Sequence, residues 1–127
     1  MIMKKEAAKA LIGYKTMGPR MIKARFHTAS GKTTIVQVYA PTSSATEQEM
    51  DEFYEALQQT VQEISSQDLT IIMGDMNAKV GKDWRTWRGA LGKQGYGEEN
   101  ERGERMLKFC LNNNLQIMNT VSGPGSV

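Results

Sequence analysis

The sequence has little of what builds secreted or membrane-spanning proteins. Its single cysteine, Cys110, cannot form an internal disulfide, which fits a reducing compartment. No apolar run approaches the roughly 18 residues of a membrane span. Charges interrupt the first six residues too early for a secretory signal. We therefore expect a soluble intracellular protein, cytoplasmic or nuclear, with no membrane partner.

The formal net charge of +2 is too small to indicate polyanion binding by itself, but the charges are unevenly distributed. Residues 1–42 carry eight cations and one carboxylate, whereas residues 43–70 carry seven carboxylates and no cation. A basic surface of this kind could attract a phosphate backbone. An ordinary solvated surface with uneven patches is the simpler interpretation.

Length and composition are typical of one folded domain. The chain has 127 residues, of which 39% are hydrophobic and 24% charged, and single domains commonly have about 100–150 residues. We expect one domain over residues 1–120. Residues 121–127 are predicted to form a disordered tail, because the Ser, Gly and Pro residues there have nothing to bury.

The hydrophobic periodicity predicts an α/β (α+β) fold. Residues 21–28 and 33–40 alternate as strands around a turn at Ser30-Gly31. Thr46 begins a capping box ahead of a helix over 47–66, with Met50, Phe53, Leu57, Val61 and Ile64 on its apolar face. The other predictions are a helix over 4–12, a buried strand over 69–73, a long loop over 78–101, a helix over 102–113 and a strand over 115–118.

The most informative local feature is Gly74-Asp75-Met76-Asn77, directly after the predicted buried strand. In extended backbone Asp75 and Asn77 point to the same face. A carboxylate there could orient a water or a divalent cation, and an amide could donate to a phosphate oxygen. Tyr39, at the end of an earlier strand, could reach the same pocket. The alternatives are that Asp75 and Asn77 only begin a turn and that Tyr39 only packs.

Several motifs in order carry a family resemblance. They are Val-Tyr-Ala-Pro-Thr at 38–42, Ile-Ile-Met-Gly-Asp-Met-Asn-Ala-Lys-Val-Gly at 71–81, and Asn100-Glu101-Arg102-Gly103 ahead of Phe109-Cys110. In this combination the chain resembles the endonuclease/exonuclease/phosphatase superfamily from about Lys5 to Thr120. Within that superfamily it looks most like the endonuclease domains of LINE-type (non-LTR) retrotransposons and the craniofacial development protein 2 group.

The resemblance implies a Mg²⁺-dependent phosphodiesterase fold in which two sheets pack face to face with helices outside, here a partial four-layer β-sandwich. It further implies DNA as the nucleic-acid partner. By matched position, Asp75 corresponds to the aspartate that positions or activates the attacking water. Asn77 corresponds to the asparagine that hydrogen-bonds the scissile phosphate, and Tyr39 to the tyrosine that stabilises developing negative charge.

The sequence also departs from the family pattern. The family's metal-binding glutamate and its aspartate–histidine pair have no counterpart here, and the one histidine, His27, precedes the Tyr39 motif. We therefore assign no metal ligand in this chain, expect an incomplete Mg²⁺ ligand set, and interpret the chain as the middle of the domain. Open sheet edges and an uncovered apolar face are expected to favour self-association.

Further candidate substrate-binding residues follow the Asp75 turn. Trp84, Arg85, Trp87 and Arg88 interleave aromatic and basic side chains, which could stack on bases or grip a phosphate backbone. The alternative is that the tryptophans cover the edge of the core. Lys79 could add positive potential beside the turn. Cys110 is interpreted as a buried core residue.

Three functions remain open at this level. The first is a Mg²⁺-dependent DNA endonuclease-type domain, incomplete in this chain. The second is a catalytically inactive retrotransposon-derived remnant that binds nucleic acid or a protein. The third, hydrolysis of phosphomonoesters or small phosphodiesters, is disfavoured by the closeness to the LINE-type branch.

Overall fold

A computed structural model of the chain describes residues 2–42, 44–93, 95 and 97–118. It divides into two compact units, Met1–Met76 and Asn77–Val127. The predicted tail over 121–127 lies outside the described residues. No helix among the residues described is long and apolar enough to cross a membrane. The elements, in chain order, are α1 (Lys5–Ala10), β1 (Leu11–Thr16), β2 (Met21–Thr28), β3 (Gly31–Tyr39), α2 (Glu47–Gln62), β4 (Leu69–Asp75) and α3 (Glu101–Asn112).

The first unit contains a mixed four-stranded sheet in the order β1-β2-β3-β4. β1, β2 and β3 are antiparallel, and β3 pairs with β4 in parallel. The predicted hairpin turn is confirmed, since Thr28 pairs with Gly31 and β2 covers residues 21–28 as expected. A parallel pair needs a crossover, which α2 supplies. The mixed sheet with helices confirms the α/β (α+β) fold class.

The predicted helix over residues 4–12 is wrong at its end. The helix stops at Ala10, and Leu11 begins strand β1, which pairs with β2. A turn at Gly18, with φ of 75°, reverses the chain, and the Met17 amide donates to the Met21 carbonyl at 2.8 Å. A six-residue helix is too short to be stable by itself, so cross-strand pairing decides the conformation of the residues that follow.

Helix α2 covers one face of the sheet. Thr46 caps it, accepting a hydrogen bond from the Glu49 amide at 3.1 Å, as the capping box predicted. Thr60 Oγ1 lies 4.0 Å from Met21 Sδ, and Lys23 Nζ lies 3.5 Å from a Glu63 carboxylate oxygen. The helix ends at Gln62 rather than at residue 66. Its buried residues are Met50, Phe53, Tyr54, Leu57 and Thr60, whereas the predicted Val61 and Ile64 are only partly buried.

The strand register separates the two faces of this sheet. The covered face, beneath α2, carries Met21, Lys23 and Arg25 of β2 with their partners on β3 and β4 (Thr34, Val36, Val38, Thr70, Ile72 and Gly74). The open face carries the alternate residues, among them Tyr14, Ile22, Ala24, Phe26, Ile35, Tyr39, Leu69, Ile71, Met73 and Asp75.

Residues 69–73 form a strand as predicted, within β4, but the prediction that this strand is buried is wrong. Leu69, Ile71 and Met73 project from the open face and are 63%, 37% and 45% exposed. A short apolar run is typical of a strand buried on both faces. Here α2 covers only one of them.

A charged network ties the α2–β4 connection to the covered face. The Asp68 carboxylate is 2% exposed and accepts two hydrogen bonds from Arg25, both at 2.8 Å, and one from Thr34 Oγ1 at 2.6 Å. The hydrogen bonds from Arg25 and Thr34 lower the pKa of Asp68, and the bond to Asp68 raises the pKa of Arg25. Such bidentate pairs are geometrically specific, so the network fixes where β4 begins.

The second unit packs around α3, which starts one residue before the predicted helix and ends one residue earlier. Cys110 is buried as predicted, and burial raises the pKa of its thiol to about 11. The predicted strand over 115–118 is wrong, because Ile117 forms only an isolated bridge with Leu91. Residues of the predicted loop over 78–101 contribute to the hydrophobic core of this unit. The buried cluster at its centre consists of Ala90, Leu91, Leu107 and Cys110, and it is flanked by Val80, Trp84, Trp87, Met106, Leu115 and Ile117.

Candidate active site at the carboxyl ends of β3 and β4

Two predicted site residues meet where the parallel strands end. Tyr39 is the register partner of Asp75, and the Ala40 amide donates to the Asp75 carbonyl at 2.8 Å. Because partners in a ladder project to the same side, both side chains belong to the open face. Tyr39 is 53% exposed and Asp75 is exposed, so both are accessible to a ligand. Ligands commonly bind at the carboxyl ends of strands in open α/β sheets.

Arg20 is a neighbour of this site that the sequence analysis did not identify. Its Nη1 donates to the Tyr39 carbonyl at 3.3 Å, its own carbonyl accepts from the Tyr39 amide at 2.9 Å, and its Cζ lies 5.8 Å from the centre of the tyrosine ring. The signal was present in the hairpin. A turn pairing Thr28 with Gly31 pairs Met21 with Val38, which brings Arg20 opposite Tyr39.

Gly74 permits this arrangement. Its φ is +126°, and a Cβ at this position would overlap the Val38 carbonyl oxygen. No L side chain tolerates both conditions. The glycine before Asp75 therefore has a backbone role, because it allows the end of β4 to lie close enough to β3 for Asp75 and Tyr39 to be partners.

Asn77 lies in the second unit, and the extended backbone assumed for it is not observed. Its φ is +47°, and it is partly buried. Asparagine is one of the few side chains enriched in this left-handed region. The residue type at this position is thus favoured by backbone conformation, independently of any phosphate contact by its amide.

The Asn100-Glu101-Arg102-Gly103 motif fixes the segment after Asn77. Asn100 Oδ1 accepts from the Lys79 amide at 3.1 Å and from the Gly103 amide at 2.8 Å, and the Asn100 amide donates to the Lys79 carbonyl at 3.0 Å. A Cβ on Gly103 would overlap the Lys79 carbonyl oxygen. Asn100 thus caps α3 and holds the Lys79 backbone, while the Lys79 residue itself is exposed.

The two tryptophans pack against the core of the second unit, as the alternative interpretation expected. Trp84 also carries three cations over its ring: Arg85 Cζ at 5.6 Å, Arg88 Cζ at 5.8 Å and Lys93 Nζ at 4.8 Å. Lys93 was not among the predicted residues. Lys93 lies five residues after Arg88, the last residue of the aromatic-basic motif, and no local pattern predicted the contact.

The residues present do not make a self-sufficient magnesium site. Among those described, no three His, Cys, Asp or Glu side chains gather closely enough to hold a metal ion. Asp75 offers a single carboxylate at the strand ends, and Mg²⁺ prefers six oxygen ligands from carboxylates, phosphates and waters. No chemical step of this chain is therefore assigned to a bound metal.

The mixed sheet, with Tyr39 and Asp75 at its strand ends, is the arrangement of an endonuclease/exonuclease/phosphatase-type domain. The family described as Endonuclease-reverse transcriptase matches residues 33–126, a range that includes most of β3, the Asp75 turn and α3. This chain belongs to that family. Members of the superfamily are generally metal-dependent.

Relatives support the same assignment. Over 121 residues the chain is 40% identical to craniofacial development protein 2 from Bos taurus and 40% identical to that from Tragulus javanicus. Each alignment covers 95% of this chain, but only 20% and 21% of the respective relatives. The chain thus spans about a fifth of the length of the curated relatives it matches. The predicted superfamily is confirmed, and a LINE-type origin remains a prediction.

Proposed function

We propose that this chain is part of a Mg²⁺-dependent endonuclease-type domain that hydrolyses phosphodiesters in DNA, of the LINE-type branch. The observation that carries the proposal is the pairing of Tyr39 with Asp75 at the carboxyl ends of β3 and β4, with Arg20 against the tyrosine. The match to the family motifs does not by itself require the side chains of Tyr39 and Asp75 to be accessible together on one face of the sheet.

The chemistry assigns a different task to each group. The Asp75 carboxylate accepts a hydrogen bond from the attacking water and orients it toward phosphorus. The Tyr39 hydroxyl donates to a phosphate oxygen as negative charge develops. The phosphate contact expected of Asn77 rests on the family match alone. Phosphoryl transfer depends mainly on such positioning and on electrostatic stabilisation. Arg20 adds a permanent positive charge beside Tyr39.

A catalytically inactive module that binds nucleic acid or a protein is the second candidate. The open face favours it, because Tyr14, Leu69 and Met73 expose 65%, 63% and 45% of their surfaces on one side of the sheet. Large exposed apolar patches commonly mark interaction surfaces. We propose that the same face, together with the edge strands β1 and β4, allows the isolated chain to self-associate.

Nicking of supercoiled plasmid in Mg²⁺ tests the first proposal. The unmodified chain is compared with Asp75→Asn and with Asp83→Asn, a matched change in the second unit that keeps an oxygen to accept from the Thr86 amide. Nicking that is lost in Asp75→Asn and kept in Asp83→Asn supports the endonuclease. No nicking by any of the three, with circular dichroism spectra of folded protein, contradicts activity of the isolated chain and favours the binding module.

A magnesium titration followed by tryptophan fluorescence tests the ligand set directly. Because Asp75 supplies a single carboxylate, we expect no saturable response at millimolar Mg²⁺. Calcium at the same ionic strength is the control for nonspecific salt effects. A saturable response to Mg²⁺ that disappears in Asp75→Asn would show that the chain completes a metal site after all.

A further inference from the structure

The second unit gathers positive charge around one indole ring. Between residues 79 and 93 the sequence has five cations and one carboxylate, Asp83. Three of the five, Arg85, Arg88 and Lys93, lie 4.8–5.8 Å from the ring of Trp84. We call these four residues the Trp84 platform. Arg85, Arg88 and Lys93 are all exposed.

The platform is held in place from beneath. Trp84 is only partly exposed and packs against the buried cluster that contains Leu91 and Leu107. Its backbone is fixed in a turn, with the Trp84 amide donating to Lys82 at 2.9 Å and the Trp87 amide donating to Asp83 at 3.2 Å. The ring is therefore anchored in the core, while the cations around it face solvent.

The three cations are not neutralised within the described part of the chain. None of Arg85, Arg88 and Lys93 forms an ion pair with a described carboxylate, and all three side chains lie over the indole ring. Like charges brought together repel, so this arrangement gains most when an anion binds among them. Guanidinium and ammonium groups are the usual donors to phosphate oxygens.

We infer that the Trp84 platform binds the phosphate backbone of DNA without reading its sequence, an inference that rests on the proposed endonuclease function. Because the cations lie over the indole, the ring orients them and is not free to stack on a base. Two expectations therefore differ from those of the sequence motif Trp84, Arg85, Trp87 and Arg88 taken alone. Lys93 is a phosphate contact, and Trp87 is a core residue that contacts no DNA.

Fluorescence anisotropy with a labelled 20-base-pair duplex in EDTA tests this, since binding is then measured without hydrolysis. The variant Arg85→Gln/Arg88→Gln/Lys93→Gln is compared with Lys4→Gln/Lys5→Gln/Lys9→Gln, which removes the same charge from exposed positions in and beside α1. Each phosphate contact contributes about 0.9 to the slope of log affinity against log salt. We expect the platform variant to lose roughly 2–3 units of slope and the control variant less than 1.

One further variant keeps the result interpretable. Arg85→Lys/Arg88→Lys should retain the slope, because the charges remain. Duplexes rich in A·T and in G·C should bind within about twofold of each other.

Three results would each overturn the inference. They are an unchanged slope in the platform variant, equal losses of slope in both charge-removed variants, and no binding of the duplex by the unmodified chain at 50 mM salt. Loss of slope in a chain that does not nick DNA would leave the binding site standing without the endonuclease. Nicking by the unmodified chain, with an unchanged slope in the platform variant, would support the endonuclease and overturn the binding site.

Discussion

Residues 22–26 of β2 reverse the usual distribution of residue types between the two faces of the four-stranded sheet. On β2, the covered face beneath α2 carries Lys23 and Arg25, whereas the open face carries Ile22, Ala24 and Phe26. The cations on the covered face are accommodated by carboxylates near or beyond the end of α2. Three apolar residues of β4, Leu69, Ile71 and Met73, lie on the open face and are 37–63% exposed.

This difference shows that the residues covered by α2 and the most hydrophobic residues of the sheet are not the same set. Under α2, β3 supplies the apolar contacts through Val36 and Val38, which are 0% and 3% exposed. Around them, ion pairs at the sheet margin hold the helix and its following loop. The open face has the composition of a core layer, and Tyr14, Leu69, Ile71 and Met73 on it are exposed. It also carries Tyr39 and Asp75, so the proposed interaction surface and the candidate active site share one side of the sheet.

Changing Gly74 should have the largest effect on stability, because it would separate the end of β4 from β3 and so disturb both faces of the sheet. Gly74→Ala places a Cβ on the Val38 carbonyl oxygen at a φ of +126°. We expect a loss on the order of 3–5 kcal/mol in the free energy of unfolding, measured by urea denaturation. The matched control is Gly13→Ala, also in the sheet but with open space at its Cβ, which should change stability by less than about 1 kcal/mol. Equal losses would refute the steric argument.

Truncating one leucine on each side of the comparison should separate the covered core from the open face. Leu57 of α2 is fully buried, whereas Leu69 of β4 is 63% exposed. We expect Leu57→Ala to cost about 2–5 kcal/mol and Leu69→Ala less than about 1 kcal/mol, because only the first leaves a cavity. Urea midpoints at low protein concentration measure both. A large cost for Leu69→Ala would mean that the open face is already covered in solution.

Placing charge on the open face should sharpen the comparison at the level of association. We expect the unmodified chain to show an apparent mass that rises with concentration in size-exclusion chromatography with light scattering. Ile71→Lys should shift it to monomer, since a charge on this face opposes its burial. Gln62→Lys, on an exposed position of α2, is the control and should leave association unchanged. A monomeric unmodified chain at all concentrations would contradict self-association.

Acid should weaken the margin of the covered face in a defined pH window. The pKa of Asp68 is lowered in the folded chain, so its contribution to stability is complete above the unfolded pKa of about 4 and is lost as pH falls through the folded pKa. We expect Asp68→Asn to be less stable than the unmodified chain at pH 7, with the difference shrinking below pH 4. Thermal melts across pH 2–7 measure it. A difference that stays constant into acid would rule out this carboxylate as the titrating group.

Much of the fold could be predicted because its signals are local. The capping box at Thr46 and the alternation of residues 21–28 identify α2 and β2 without reference to the rest of the chain. β1 was not predicted, because Leu11 and Ile12 continue a helix-forming segment and become extended only through pairing with β2. The exposure of Leu69, Ile71 and Met73 was not predictable either, since burial depends on what covers a strand.

The residues of the candidate sites also divide into those with a local sequence signal and those without one. Tyr39 and Asp75 could be identified from their places at strand ends and from the family motifs. Arg20 follows from the hairpin register, a step beyond reading motifs one at a time. The grouping of Lys93 with Trp84, and the support of Lys79 by Asn100, depend on how the chain returns on itself. No periodicity or spacing encodes those contacts.

The parallel register of β3 and β4 also determines when the site can form during folding. Every pair in that ladder, from Thr33 with Leu69 to Tyr39 with Asp75, joins residues 36 positions apart. The β2–β3 hairpin, by contrast, closes from a pair three residues apart. Loop-closure entropy makes distant pairs late ones. The hairpin, with Arg20 and Tyr39, can assemble early, but Asp75 joins them only after the chain has passed through the crossover helix and β4 has paired with β3.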